Sequence, residues 1–94
     1  MNFSISLEDE NRKAIETLSS PFVLEAAIDL SSFKLLQYLD HYGDTIFNRY
    51  QIDDLITDLK RLNESAADMI ISQIISLANR CRNEIHTYLC FNVD

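Results

Sequence analysis

The feature that most constrains this chain is its scarcity of residues that break regular structure. Only one glycine, Gly43, and one proline, Pro21, occur in 94 residues. Glycine and proline mark many tight turns, and a fold built of many short strands needs such turns often. We therefore expect a mostly α architecture of the α+β class. Four to five short helices should pack around a central apolar helix, with a small two-stranded ribbon from the chain termini.

The length and composition predict one helical domain that spans residues 1–94. Apolar residues make up 47% of the chain and charged residues 24%, which is typical of a globular protein and not of a disordered one. No linker, internal repeat or low-complexity segment divides the sequence. A chain of this size can form a single hydrophobic core.

The segment 40–51, DHYGDTIFNRYQ, looks like the turn around which the chain is organised. Gly43 stands where an incoming helix should end, since a helix commonly closes with a residue at positive φ. Asn48 can cap the next helix, and Gln51 can reach back to the Asn48 N–H in a reciprocal capping arrangement. We expect that helix to run from about Asn48 to Leu62.

Three further segments carry a helical pattern. A helix of about three turns is expected from Glu8 to Leu18, and residues 22–39 predict either one kinked helix or two short ones, of which we favour two. Residues 65–82 carry apolar side chains around most of the helix circumference, which predicts the centrally buried helix.

Both chain ends alternate apolar and polar residues with a period of two. Phe3, Ile5 and Leu7 do so at the N-terminus, and the segment from Ile85 to Val93 does so at the C-terminus. Because an isolated strand leaves its backbone groups unpaired, we expect the two strands to pair with each other, or the C-terminal strand to pair with its copy in a homodimer.

The formal net charge of −7 limits the classes of partner. Nucleic acids and anionic membranes attract basic surfaces, so neither is an expected partner, whereas a basic protein surface is. With no apolar run long enough to span a membrane and no secretory signal, we expect a cytoplasmic protein. Cys81 and Cys90 lack metal-binding spacing, so buried thiols are expected, with no metal and no cofactor.

Three motifs in the second half of the chain resemble those of a family of small bacterial proteins without an established activity. The family shows a Y-G-D-T-x-F-N turn, a following Q-x-x-x-L-x-x-x-L helix and a closing H-x-Y-L-x-F-x-x-D strand. The chain departs from that pattern at Asn92-Val93, where the family has an apolar residue followed by glycine. The matching residues are Tyr42, Gly43, Asp44, Thr45, Phe47, Asn48, Gln51, His86, Tyr88, Leu89, Phe91 and Asp94.

The polar side chains of the turn admit two interpretations. Asp44 and Thr45 can bond backbone amides within the turn, which is the more common role of such residues. Alternatively, the turn contributes to a binding site. The candidate binding residues, with no catalytic and no metal-binding residue among them, are Tyr42, Asp44, Thr45, Asn48, Tyr50, Asp53, Asp54 and His86.

We interpret the sequence as a small acidic protein-interaction module, immunity-like, antitoxin-like or regulatory, that binds a basic protein surface. Its contact face would include Tyr50 and three acids of the following helix, Asp53, Asp54 and Asp58. The alternative is a small-molecule-binding or regulatory dimer, with a pocket near the turn lined by Tyr42, Phe47 and His86. An enzyme is not expected, because nucleophile elbows, phosphate-binding loops and metal motifs are absent from the sequence.

Overall fold

The chain forms a five-stranded antiparallel sheet with two helices packed on one of its faces. The structure, a computed structural model, describes residues 1–93, so Asp94 of the C-terminal motif lies outside the described residues. This α+β fold contradicts the expected arrangement of four to five helices around a central helix. The elements are β1 (Asn2–Asp9), β2 (Ala14–Thr17), β3 (Phe22–Val23), β4 (Thr45–Asn48), α1 (Ile52–Ala66), α2 (Met69–Asn83) and β5 (Thr87–Val93), with a 3-10 helix at Leu36–Tyr38.

The two terminal strands lie at the centre of the sheet, whose order is β2-β1-β5-β4, with β3 also paired to β1. β1 and β5 pair over their whole length, from Phe3 opposite Val93 to Asp9 opposite Thr87. The expectation that the terminal strands pair is confirmed, but a two-stranded ribbon is wrong. Since β5 pairs with β1 along one edge and with β4 along the other, it has no free edge for a second copy.

The core lies between the sheet and the helices and is centred on aromatic rings. Phe91 of β5 contacts Phe3, Phe22 and Phe47 edge-on, with ring centroids 6.0, 6.1 and 5.6 Å away. Edge-to-face pairs at such distances contribute about 0.5–1.5 kcal/mol each beyond the burial of their area. These contacts join four strands, β1, β3, β4 and β5, through side chains on the core face of the sheet.

Each helix buries one stripe of side chains, and α2 is not the centrally buried helix that the sequence suggested. Its residues Ile70, Ile74 and Leu77 are buried, but Met69 is 79% exposed and Gln73 is also exposed. Serine, glutamine and arginine side chains occupy the outer face of α2, and its buried face packs mainly against α1 and the sheet. The broad apolar pattern overestimated its burial because Met69 lies on the solvent side.

The expected helix over residues 8–18 is instead a β-hairpin formed by β1 and β2. The Asp9 carboxylate accepts hydrogen bonds from the backbone N–H groups of Asn11 (2.8 Å) and Lys13 (3.0 Å). Arg12 takes the left-handed conformation, with φ of 64°. An aspartate turn therefore replaces the glycine that we assumed a hairpin requires. Pairing of β1 with β5 up to Asp9 favours the extended form over a helix.

The expected helices over residues 22–39 are also wrong. The segment contains β3, irregular chain and only the short 3-10 helix. Its apolar residues Phe22, Leu24, Phe33, Leu36 and Leu39 are buried one by one and not as a helical stripe. The apolar residues recur every few positions because the irregular chain contacts the same core repeatedly. This recurrence resembled the spacing of a helix.

Gly43 does not close a helix. Its φ is not positive, and no α-helix precedes it in the described chain. A Cβ at this position would lie 3.2 Å from Oδ2 of Asp40, which is a tight approach. The glycine therefore provides space for the Asp40 carboxylate and does not provide a special backbone conformation.

The predicted hydrogen bonds between Asn48 and Gln51 form, but they close the turn between β4 and α1 and do not cap the helix, whose N-cap is Gln51 without a side-chain hydrogen bond. Asn48 Oδ1 accepts from the N–H groups of Tyr50 (3.0 Å) and Gln51 (3.2 Å), and Gln51 Oε1 accepts from the Asn48 N–H (3.0 Å). The helix itself begins at Ile52, four residues later than expected, because Asn48 is the last residue of β4. Within residues 1–93, neither helix has the length and hydropathy that crossing a membrane requires.

Candidate functional site

The Tyr42–Asn48 turn is held together by its own polar side chains. Thr45 Oγ1 accepts from the Asp40 N–H (3.2 Å), and Asp40 Oδ1 accepts from the Tyr42 N–H (2.9 Å). Asp44 Oδ1 accepts from the Val93 N–H (3.2 Å), which ties the turn to the end of β5. The side chains of Asp44 and Thr45 therefore stabilise this turn by accepting hydrogen bonds from the backbone. Tyr42, whose surface is 94% exposed, is the most exposed large side chain of this segment.

A buried carboxylate that the sequence analysis missed lies on the helix-free face of the sheet. Glu8 is only 5% exposed. It accepts hydrogen bonds from Ser6 Oγ (2.7 Å) and Arg12 Nε (2.7 Å), and Arg12 Nη2 extends to Oδ2 of Asp44 at 3.5 Å. Burial raises the pKa of Glu8, but hydrogen bonds from Arg12, Ser6 and Cys90 outweigh it, so its pKa is lowered.

Both cysteine thiols are buried, Cys90 beside this network and Cys81 on α2 next to Thr87. Cys81 and Cys90 are both fully buried, as expected. Burial, followed by the neighbouring Glu8 carboxylate, raises the pKa of Cys90 to about 12, and burial also raises the pKa of Cys81. Because the thiolate is the reactive form, both residues act as small apolar side chains at neutral pH.

The acids of α1 are bound within the molecule. Asp53 Oδ1 lies 2.8 Å from Arg82 Nη1, and Asp54 Oδ2 lies 2.9 Å from Lys34 Nζ. Asp58 is buried, with 4% of its surface exposed, so its expected place on a contact face is wrong. Its carboxylate instead accepts from the N–H groups of residues 34–36, at 3.3, 2.7 and 3.1 Å.

Three of the candidate binding residues, Asn48, Tyr50 and His86, line one cleft of about 230 Å³, although we had expected Tyr50 on the acidic contact face and not beside His86. The cleft lies where β4 ends and β5 begins. Tyr42 and Phe47, expected in the same pocket as His86, do not line it. Tyr42 precedes the opposite end of β4, and Phe47 is buried in the core. The remaining lining residues are Arg49, Ile85, Thr87 and Tyr88.

A larger groove of about 540 Å³, which the sequence analysis did not predict, lies between the segment 22–33 and the facing ends of α1 and α2. Its floor is formed by buried apolar side chains and its rim by exposed carboxylates. We call this surface the acidic groove. Its floor includes Phe22, Leu24, Phe33, Leu62 and Ile71, and its rim includes Glu25, Asp29 and Asp68.

The one cation that lines the acidic groove, Arg61, has partners within the protein. Its guanidinium carbon lies 4.1 Å from the centroid of the Phe33 ring, and its Nη2 donates to Ser32 Oγ (2.6 Å). The groove was missed because residues 22–39 were expected to be helical. The acids Glu25 and Asp29, next to Leu24 and Ile28 in the sequence, were the available signal.

Known proteins provide no further guide to this site. No protein-family model matches the chain, and neither a curated protein nor a solved structure is significantly similar to it. The family resemblance of the turn and the C-terminal strand therefore stays a prediction. Among residues 1–93, no three His, Cys, Asp or Glu side chains form a group that can hold a metal ion.

Proposed function

We propose that this protein is an acidic interaction module that binds a basic surface of another protein, in the manner of an immunity, antitoxin or regulatory protein. The acidic groove is its contact surface. The observation that carries the proposal is the combination, in one concave surface, of an apolar floor with three exposed carboxylates. The α1 acids are weaker candidates because they already pair with Arg82 and Lys34.

The electrostatics of the groove favour a cationic partner. Glu25, Asp29 and Asp68 contribute negative charge, and the Arg61 guanidinium is stacked on Phe33. The backbone N–H and hydroxyl of Ser31 hold the pKa of Asp29 below its usual value, so this carboxylate is ionised at neutral pH. A net charge of −7 adds long-range attraction that accelerates encounter with a basic protein.

The apolar floor provides the part of binding that charge alone does not supply. A volume of about 540 Å³ lies within the range of sites that take several side chains or a small ligand. Apolar anchors surrounded by a polar rim are the usual anatomy of a protein interface. The expected partner segment therefore places one or two apolar side chains in the groove and lysine or arginine against its rim.

The test is affinity capture from host lysate at low and high salt, followed by titration of the recovered protein against variants. Glu25→Gln/Asp29→Asn removes two rim charges while keeping the side-chain sizes and the Asp29 turn geometry. We expect it to weaken binding and to reduce the salt dependence, because fewer ion pairs are then screened. Val23→Thr, a substitution of similar shape at a groove residue that is 52% exposed, should also weaken binding.

Asp53→Asn/Asp54→Asn is the matched control, since it removes two charges from α1 outside the groove. We expect this variant to bind as the parent protein does. Equal loss of binding in both double variants would show that net charge alone governs the association. Loss in the α1 variant only would move the contact face to α1, and recovery of no stoichiometric partner would contradict the interaction function itself.

A further inference from the structure

We infer that the cleft beside His86 is a binding site for a small aromatic carboxylate. The cleft shares no lining residue with the acidic groove, so the inference is independent of the proposed protein partner.

His86 holds a left-handed backbone, with φ of 59°, immediately before β5. For a residue with a Cβ this conformation costs about 1–2 kcal/mol, and glycine or asparagine tolerates it better. Packing does not explain the choice of histidine, because the side chain is 70% exposed. Its Nδ1 lies 3.7 Å from Oε2 of Glu10, which is longer than a hydrogen bond. The imidazole is thus an exposed group that the chain turn before β5 places at the cleft, where it can contact a ligand.

The lining of the cleft suits an anion. No Asp or Glu lines it, although the protein as a whole carries a net charge of −7, and Arg49 contributes a positive charge. The guanidinium has hydrogen-bond donors only. Asn48 uses its Oδ1 to accept from Tyr50 and Gln51, so the group that it can offer a ligand is its NH₂ donor. A carboxylate supplies the acceptors that these donors require.

The aromatic residues of the cleft determine the rest of the ligand. Tyr50 is 87% exposed, and Tyr88 is half-buried. The guanidinium carbon of Arg49 lies 5.8 Å from the Tyr50 ring centroid, so a planar ligand can contact both the charge and the ring. The volume of about 230 Å³ is below the usual range for drug-sized ligands. A carboxylate attached to a single aromatic ring is the class that fits.

The test is an NMR titration of the ¹⁵N-labelled protein with benzoate, acetate and benzyl alcohol as separate probes. We expect benzoate to give saturable shifts at the amides of residues 48–50 and 85–88. Acetate lacks the ring and benzyl alcohol lacks the charge. Each should therefore bind at least about tenfold more weakly than benzoate, as expected when one charged or aromatic interaction is lost.

The decisive variants are His86→Asn and Arg49→Gln. Asparagine keeps the tolerance for the left-handed backbone, so the first variant removes the imidazole without disturbing the start of β5. We expect each variant to weaken benzoate binding about tenfold. Two control variants, His41→Asn and Lys60→Gln, alter an exposed histidine and an exposed cation outside the cleft. They should leave the affinity for benzoate unchanged.

Three results would overturn the inference: benzoate shifts that do not saturate or that fall outside the cleft, benzoate binding that His86→Asn and Arg49→Gln leave intact, or equal affinity for acetate. The Tm and a dispersed spectrum of each variant establish that it is folded. Glu25→Gln/Asp29→Asn should bind benzoate as the parent does, so this test fails or succeeds separately from the proposed protein partner.

Discussion

Two buried carboxylates, in two regions of the molecule, stabilise the fold by different means. Asp58 on α1 is 4% exposed and binds only backbone N–H groups, those of residues 34–36. Glu8 on β1 is 5% exposed and binds side chains, the hydroxyl of Ser6 and the guanidinium of Arg12. Asp58 supplies the acceptors for the N–H groups at the start of the 3-10 helix and just before it. Glu8 ties the Arg12 side chain in the hairpin turn to β1.

The difference determines what each region loses when its carboxylate is removed. Backbone N–H groups cannot move away to find another partner, whereas the Arg12 side chain is 49% exposed and can turn to water. The stability of the region around Asp58 should therefore depend on that one carboxylate. The stability of the region around Glu8 should be shared among several side chains. The predictions below test this contrast, beginning with the largest expected effect.

Asp58→Ala should lower the free energy of unfolding by about 3–5 kcal/mol, because three backbone donors lose a buried acceptor at about 1–3 kcal/mol each. That is a large part of the total stability of a typical domain. Chemical denaturation measures the loss. Hydrogen exchange at the amides of Leu35 and Leu36 should accelerate more than exchange in β1 or β5.

Asp54→Ala is the matched control for this substitution, since Asp54 lies one turn earlier on α1 and pairs with Lys34 at the surface. It should cost less than about 1 kcal/mol. If Asp58→Ala costs no more than Asp54→Ala, then the loop at residues 34–36 does not depend on the buried carboxylate.

Glu8→Gln should lower the free energy of unfolding by about 1–2 kcal/mol at pH 7, since it weakens charge-assisted hydrogen bonds but leaves an acceptor for Ser6. The pKa of Glu8 is lower in the folded protein than its ordinary value of 4.5. Its contribution is therefore complete above about pH 4.5 and is lost as the pH falls through the folded-state pKa. The difference between parent and variant should shrink below pH 4.5 in urea denaturation.

Glu16→Gln, at an exposed acid that pairs with Arg80, controls for the general effect of removing a charge. Its difference from the parent should be smaller than that of Glu8→Gln at pH 7. A difference for Glu8→Gln that grows as the pH falls would show that the sign of the Glu8 pKa shift is wrong.

The sequence predicted the strands and helices whose pattern is set by local chemistry. The alternation of Phe3, Ile5 and Leu7 predicted the core face of β1, and the Asn48 and Gln51 side chains form the expected reciprocal hydrogen bonds, although in the turn before α1 and not as its cap. The apolar residues of α1 recur at helical spacing, and those at Ile52, Leu55, Ile56, Leu59 and Leu62 are buried. In each case the residues that define the pattern are also those that make the contacts.

The failures concern residues whose partners are distant in sequence. Residues 22–39 stay irregular partly because Asp58, more than twenty positions away, supplies acceptors that a helix would otherwise provide. The position of Asp58 at the edge of the apolar stripe of α1, between Leu55 and Leu62, was the one local signal that Asp58 is buried. The acidic groove was missed for the same reason, since it exists only when this segment faces the ends of α1 and α2.

The pair Asp53 and Arg82 should show the smallest effect and extends the contrast from buried to exposed acids. Their side chains are 78% and 45% exposed, so a double-mutant cycle with Asp53→Ala and Arg82→Ala should give a coupling energy of about 0.2–1 kcal/mol that declines with added salt. The cycle also removes the separate effect of Asp53 on the α1 dipole, because that effect is common to both backgrounds. A measurable coupling means that a basic partner must first displace Arg82 to reach Asp53, which favours the acidic groove as the contact surface. Zero coupling at low salt would leave Asp53 free and would place α1 on equal terms with the groove.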